Sequence, residues 1–109
     1  MTTTPNLKRY TSSMLVCSTA HLAEGTADRL TYYTVGREEP MHSLSFYNIE
    51  GGWLVWTGTE GLEDPQDEDL AGVPAELRAL LIHAKQAGIE WVHFDCDAPA
   101  IDGIPTFTW

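Results

Sequence analysis

Apolar and polar positions along this chain repeat with two different periods, and the switches between them mark six elements. Residues 91–97 run Trp-Val-His-Phe-Asp-Cys-Asp with a period of two. Val92, Phe94 and Cys96 fall on one face, and Trp91, His93, Asp95 and Asp97 on the other. This pattern predicts a strand at or near the centre of a sheet. After it, Ile101, Ile104, Phe107 and Trp109 stand among prolines and a glycine. That spacing predicts an apolar strap docked on the domain, with its terminal tryptophan removed from water. Met14, Leu15, Val16 and Cys17 form a continuous apolar run, which predicts a first strand over 13–18 buried on both faces. The polar, threonine-rich residues 1–12 read as a loose arm.

Two stretches switch to the helical period. Within 23–35, Ala23, Ala27, Leu30 and Thr34 share a face, with Thr26 as a candidate N-cap and Gly36 in the C′ position. In the second, Pro74 stands at the first helical position, Leu77, Leu80, Leu81 and Ala84 make the stripe, and Gly88 ends it. Between the helices, 37–43 reads as a loop around Pro40. Residues 44–50 and 53–58 read as strands joined through Gly51-Gly52, a pair that tolerates the positive φ of a tight hairpin. Bulky residues lie on both faces of this hairpin. One face is expected to cover the helices; the other is covered by the strap or offered to a partner.

The order β-α-β-β-α-β predicts an α+β fold: a four-stranded, mostly antiparallel sheet with two helices on one face. A ferredoxin-like arrangement is the first choice, and related sheets with the same element order stay open. At 109 residues, 43% of them hydrophobic, the chain predicts one domain over 13–109. No apolar run approaches the roughly 20 residues of a membrane helix, and the opening residues lack an export signal's apolar core, so a cytoplasmic location is expected. Cys17 and Cys96 are too few for a disulfide framework and are expected to stay reduced. If their strands are neighbours, they meet as small buried hydrophobes.

Charge changes the picture most. The formal net charge is −10, and it is unevenly placed. In residues 1–37, Lys8, Arg9, Arg29 and Arg37 outnumber Glu24 and Asp28 by two. In residues 38–109, 14 acids face only Arg78 and Lys85, a net of −12. Six of those acids (Glu60, Glu63, Asp64, Asp67, Glu68 and Asp69) crowd one loop over 59–73. Such a field repels nucleic acid and acidic membranes and attracts basic surfaces. A solvated loop is the plainer reading of the acids. The sharper one is mimicry: Asp95, Asp97 and Asp102 join the loop carboxylates on one face and engage a basic groove built for phosphates, which B-DNA presents about every 1.7 Å of axis.

Val16-Cys17-Ser18-Thr19-Ala20-His21, Gly52-Trp53-Leu54-Val55, Pro74-Ala75-Glu76-Leu77 and the ending 91–109 resemble an uncharacterised family of small acidic proteins. That family is carried on proteobacterial plasmids, integrative conjugative elements and prophages. The resemblance spans most of 14–109 and is most specific at the aspartate-rich strand running into Asp102-Gly103-Ile104-Pro105. It brings no chemistry with it. What it implies is genomic company, in which small acidic proteins antagonise host defence as anti-CRISPR or anti-restriction proteins.

Other constellations are weaker. Phe94-Asp95-Cys96-Asp97 is superficially similar to the aspartate pair of haloacid-dehalogenase phosphatases, but only 12 residues follow Asp97 and none is a lysine. His93, Asp95 and Asp97 offer metal-ligand chemistry only if a further group such as His21 or His83 converges on them. Ser18, Thr19 and His21 lack a glycine-rich nucleophile elbow and fit a polar strand-to-helix turn. Phe46, Tyr47, Trp53 and Trp56 read as core before aromatic platform. The expectation is a non-enzymatic inhibitor without cofactor or metal, a monomer or weak homodimer, bound to a basic nucleic-acid-binding protein or complex and not to nucleic acid itself. The runner-up is an assembly module that uses the tryptophan-bearing hairpin, and a small metal-dependent hydrolase is a remote third.

Overall fold

A computed structural model of the chain describes residues 4–34 and 44–109. The alternating and helical patterns become β1 (Met14–Ser18), α1 (Glu24–Thr34), β2 (Phe46–Ile49), β3 (Gly52–Trp56), α2 (Ala75–Gln86) and β4 (Trp91–Asp95). The sheet order is β1-β4-β3-β2. β1 pairs with β4 in parallel; β4–β3 and β3–β2 are antiparallel. The α+β class and β4's interior place in the sheet are as expected. Within the class, the strand order is that of a related sheet and not the ferredoxin-like one, because β1 lies at an edge, parallel to the last strand. The predicted loop over 37–43 and the Gly36 cap lie outside the described residues.

Directly paired residues share a face, so the register sorts the sheet. Leu15 and Cys17 of β1 stand beside Val92 and Phe94 of β4, which stand beside Val55 and Trp53 of β3. This inner face packs with Leu30 of α1 and with Leu77, Leu80, Leu81 and Ala84 of α2 into one core. Both helices therefore cover the same side. The outer face carries Met14 and Val16, then Trp91 and His93, then Trp56 and Leu54, then Tyr47. Met14 is 50% and Val16 47% exposed, which corrects the expectation that β1 is buried on both faces. An apolar run can come from a strand with only one covered side.

The hairpin turn sits one residue earlier than Gly51-Gly52. Ile49 pairs with Gly52, leaving Glu50 and Gly51 as the two-residue loop, with Gly51 at φ +82°. Gly52 lies inside β3 for a different reason: a Cβ there would fall 1.7 Å from the Phe94 carbonyl oxygen. Pro74 likewise shifts by one, to the N-cap of α2. Thr26 is not the cap of α1; it is buried in the first turn, and its hydroxyl donates to the Glu76 carboxylate.

The strap runs along the helical side, where Ile101 and Ile104 pack against the core. The buried imidazole of His21 holds it down. Nδ1 lies 2.9 Å from the Pro105 carbonyl oxygen, and Nε2 accepts from the Ile101 N–H at 2.8 Å. One nitrogen must donate while the other accepts, which selects the neutral Nδ1–H tautomer. Trp109 is 54% exposed, contrary to expectation, although its indole N–H donates to the Leu22 carbonyl at 2.9 Å.

The two cysteines do not meet. Cys17 is fully buried beside Phe94, whereas Cys96 follows β4 in an exposed turn; both are free thiols. Burial pushes the Cys17 thiol up from 9.0 to about 11. A thiol reagent is therefore expected to label Cys96 promptly and Cys17 about 100-fold more slowly until the domain unfolds. Between pH 9 and 11 the unfolded thiol loses a proton that the folded one keeps, so stability should fall as pH rises through that window. Chemical denaturation at pH 8 and pH 10.5, with Cys17→Ala as control, reads this out.

Candidate interaction surface

The backbone of the acidic loop is a built structure, although most of its carboxylates are exposed. Leu62, Leu70 and Val73 are buried in the core and pin it at three points. Between them the backbone advances by successive three-residue turns: Asp64 N–H to Gly61 O, Asp67 N–H to Asp64 O, Ala71 N–H to Glu68 O and Val73 N–H to Leu70 O. The Asp64 carboxylate accepts from the Gln66 N–H at 2.9 Å. Gly61 adopts φ +82° with the Asp67 carboxylate packed where a Cβ would stand.

Arg78 fastens the loop from α2. Its Nε donates to the Leu62 carbonyl at 2.9 Å, Nη1 reaches that of Leu70, and Nη2 reaches those of Gly61 and Asp64. Lys85, the other base of residues 38–109, pairs with Glu63 at 3.5 Å, and the Gln86 side chain donates to the same carboxylate. Both bases of the acidic two-thirds are thus spent on this loop. One binds its backbone and one binds a single carboxylate. Glu60, Glu63, Asp64 and Glu68 are exposed, Asp67 is half-buried, and Asp69 lies in the short turn Glu68–Leu70.

Asp95, Asp97 and Asp102 form a second group. Asp95 ends β4 on the outer face, and its Oδ1 accepts from the Asp97 N–H at 2.8 Å. Asp102 is exposed in the turn that Gly103 closes at φ +87°. Glu63 sits against the C-terminal end of α2, which leads into the start of β4, whereas Asp95 closes that strand and Asp97 follows it. The length of β4, roughly 15 Å, lies between those two levels.

The metal and nucleophile candidates are placed as follows. Ligand atoms of Asp95, Cys96 and Asp97 lie within 4.8 Å of one another, and His93 Nε2 stands 3.8 Å from Asp95 Oδ2. The groups needed to complete a set with His93 do not converge. His21 spends both nitrogens on the strap, and His83 lines the seam between α2 and the strap, on the helical side. Ser18 accepts from the Ala20 N–H at 3.0 Å, as a strand-to-helix turn requires.

Three residues organise the molecule in roles that the sequence pattern does not show. Besides Arg78 and His21, Glu76 of α2 accepts from the Ala23 N–H at 2.9 Å and caps the first turn of α1 from a neighbouring helix. None of these contacts is local in sequence, so no spacing rule could expose them. The aromatic residues divide between the faces. Phe46 and Trp53 pack on the core, whereas Tyr47 (55%) and Trp56 (38%) are exposed on the outer face.

No helix among the described residues is long and apolar enough to cross a membrane. No curated protein and no solved structure matches the chain. Residues 14–109 match the family described as a family of unknown function (DUF5983), C-terminal domain. That match covers both helices, all four strands, the acidic loop and the strap, and the chain belongs to this family.

Proposed function

We propose that this protein is a non-enzymatic inhibitor that binds a basic, nucleic-acid-handling protein or complex through its carboxylates, in the manner of anti-CRISPR and anti-restriction proteins. The observation that carries this reading is the Arg78 anchor, which holds the acidic loop in one shape. A fixed array of carboxylates meets a fixed array of bases without first losing its own conformational entropy. A disordered acidic run would bear that cost at each encounter. Carriage on plasmids and prophages, implied by the resemblance, fits a protein that acts on host defence. The electrostatic part of such binding falls with salt, since charges are screened over about 8 Å at physiological ionic strength.

Glu60, Asp64 and Glu68 are the residues to reverse, because all three are exposed and the reversal removes only the Asp64 carboxylate's local bond to the Gln66 N–H, whereas Glu63 pairs with Lys85 across to α2 and Asp67 packs against Gly61. The triple change to lysine shifts the charge by six without removing a core contact. Inhibition of a restriction or CRISPR nuclease panel is expected to drop at least about 100-fold, with melting temperature unchanged within a few degrees. Full activity in the reversed protein would reject the carboxylate reading.

A further inference from the structure

The outer face of the sheet carries a group of exposed apolar side chains. Neither α1 nor α2 covers it, since both pack on the inner side. Met14, Val16, Tyr47 and Trp56 lie exposed on β1, β2 and β3 of that face. On β4, Trp91 stands directly opposite Trp56, and the Tyr47 ring leans across to within 6.2 Å of the Trp91 ring at a 43° tilt. Tyr47 and Trp91 belong to strands separated by β3, so the two rings meet over it and form one aromatic patch with Trp56.

Along the four strands and in the residues that directly flank them, the described charges have one sign. The four strands contain no lysine or arginine; their one formally charged side chain is Asp95, and Glu50, Glu90 and Asp97 flank them. An aromatic patch with a carboxylate rim in a domain of net charge −10 is complementary to one chemistry in particular. Ring faces attract cations, and guanidinium groups stack on tryptophan and tyrosine better than ammonium groups do. A second copy of this chain would bring its own carboxylate rim against the first, and nucleic acid would bring phosphates.

We infer that the Tyr47–Trp56–Trp91 patch is a docking surface for a protein segment that presents arginines among apolar side chains. The inference rests on the basic-partner reading and adds a second, apolar contact to it. It assigns the hot spot of the interface to aromatic rings and leaves steering to the acidic loop.

Three synthetic amphipathic peptides of matched apolar pattern, with arginine, lysine or glutamate as the polar residue, test this against isotope-labelled protein. The arginine peptide should shift amide signals of β1, β3 and β4 around Val16, Trp56 and Trp91, and bind about threefold tighter than the lysine peptide. The glutamate peptide should not bind. A Y47L/W56L variant with an unchanged melting temperature should lose roughly tenfold in affinity. Shifts confined to the acidic loop, equal binding of the glutamate peptide, or no binding would overturn the inference. So would a sedimentation result in which the ring variant alters self-association and leaves peptide affinity intact. If Glu60, Asp64 and Glu68 reversal abolishes binding while the ring variant binds normally, the docking surface fails and the carboxylate reading stands. The converse result separates the two the other way.

Discussion

Gly52→Ala should destabilise the domain by about 4 kcal/mol or more, most of the stability of a domain at the low end of the ordinary range of about 5–15 kcal/mol. The alanine Cβ would stand 1.7 Å from the Phe94 carbonyl oxygen and 2.8 Å from its carbon. Neither is the tip of a flexible side chain. Phe94 is fully buried on β4, which is hydrogen-bonded on both sides, so relief requires separating β3 from the strand that holds the sheet together. Gly51→Ala is the internal control. Its nearest contact would be an ordinary 3.5 Å to the Asp95 carboxylate, and its cost is that of a left-handed turn residue, about 1 kcal/mol. Urea denaturation of the two variants should separate them by several kcal/mol; equal losses would contradict the close approach of β3 to β4.

Arg78→Met should cost about 3 kcal/mol and loosen residues 59–73 before the rest of the domain. Methionine keeps most of the side chain's apolar length while removing every donor. The carbonyls of Gly61, Leu62, Asp64 and Leu70 then lose a charged partner at once. Hydrogen bonds to charged groups contribute about 1.5–3 kcal/mol each, and water reaching the loop offsets part of the loss. Arg78→Lys should recover only a fraction, because one ammonium cannot span four carbonyls. Hydrogen exchange should show loop amides such as Asp64 and Asp67 losing protection in the methionine variant while Val92 and Phe94 keep theirs. Uniform loss across the domain would mean that Arg78 supports the core and not the loop. Because binding is assigned to a fixed carboxylate array, the same variant should also inhibit less well with all its acids in place.

The parts of the structure that were legible from sequence are those set by local periodicity. The α2 stripe of Leu77, Leu80, Leu81 and Ala84 is buried as its spacing requires, and Val92 and Phe94 alternate into the core with His93 turned away. Errors arose where a local pattern admits two environments. Met14 to Cys17 reads alike whether a strand is covered on one face or two, and only the parallel pairing of β1 at the sheet edge decides. Gly51-Gly52 looks like a turn pair, yet the second glycine answers to a backbone on another strand. The strap showed its apolar residues but not its anchor, because His21 and Pro105 stand 84 residues apart.

For the site, the sequence showed which acids crowd together but not what holds them. Arg78 follows the loop on a different element, and its charge reads there as one of two stray bases.

The most direct test compares the wild-type protein with its E60K/D64K/E68K variant, each immobilised and exposed to nuclease-treated host extract at low and at high salt. The wild type should retain a basic nucleic-acid-binding protein at low salt and release it at high salt, while the variant retains none. Equal retention by both proteins, unaffected by salt, would contradict recognition through the carboxylates.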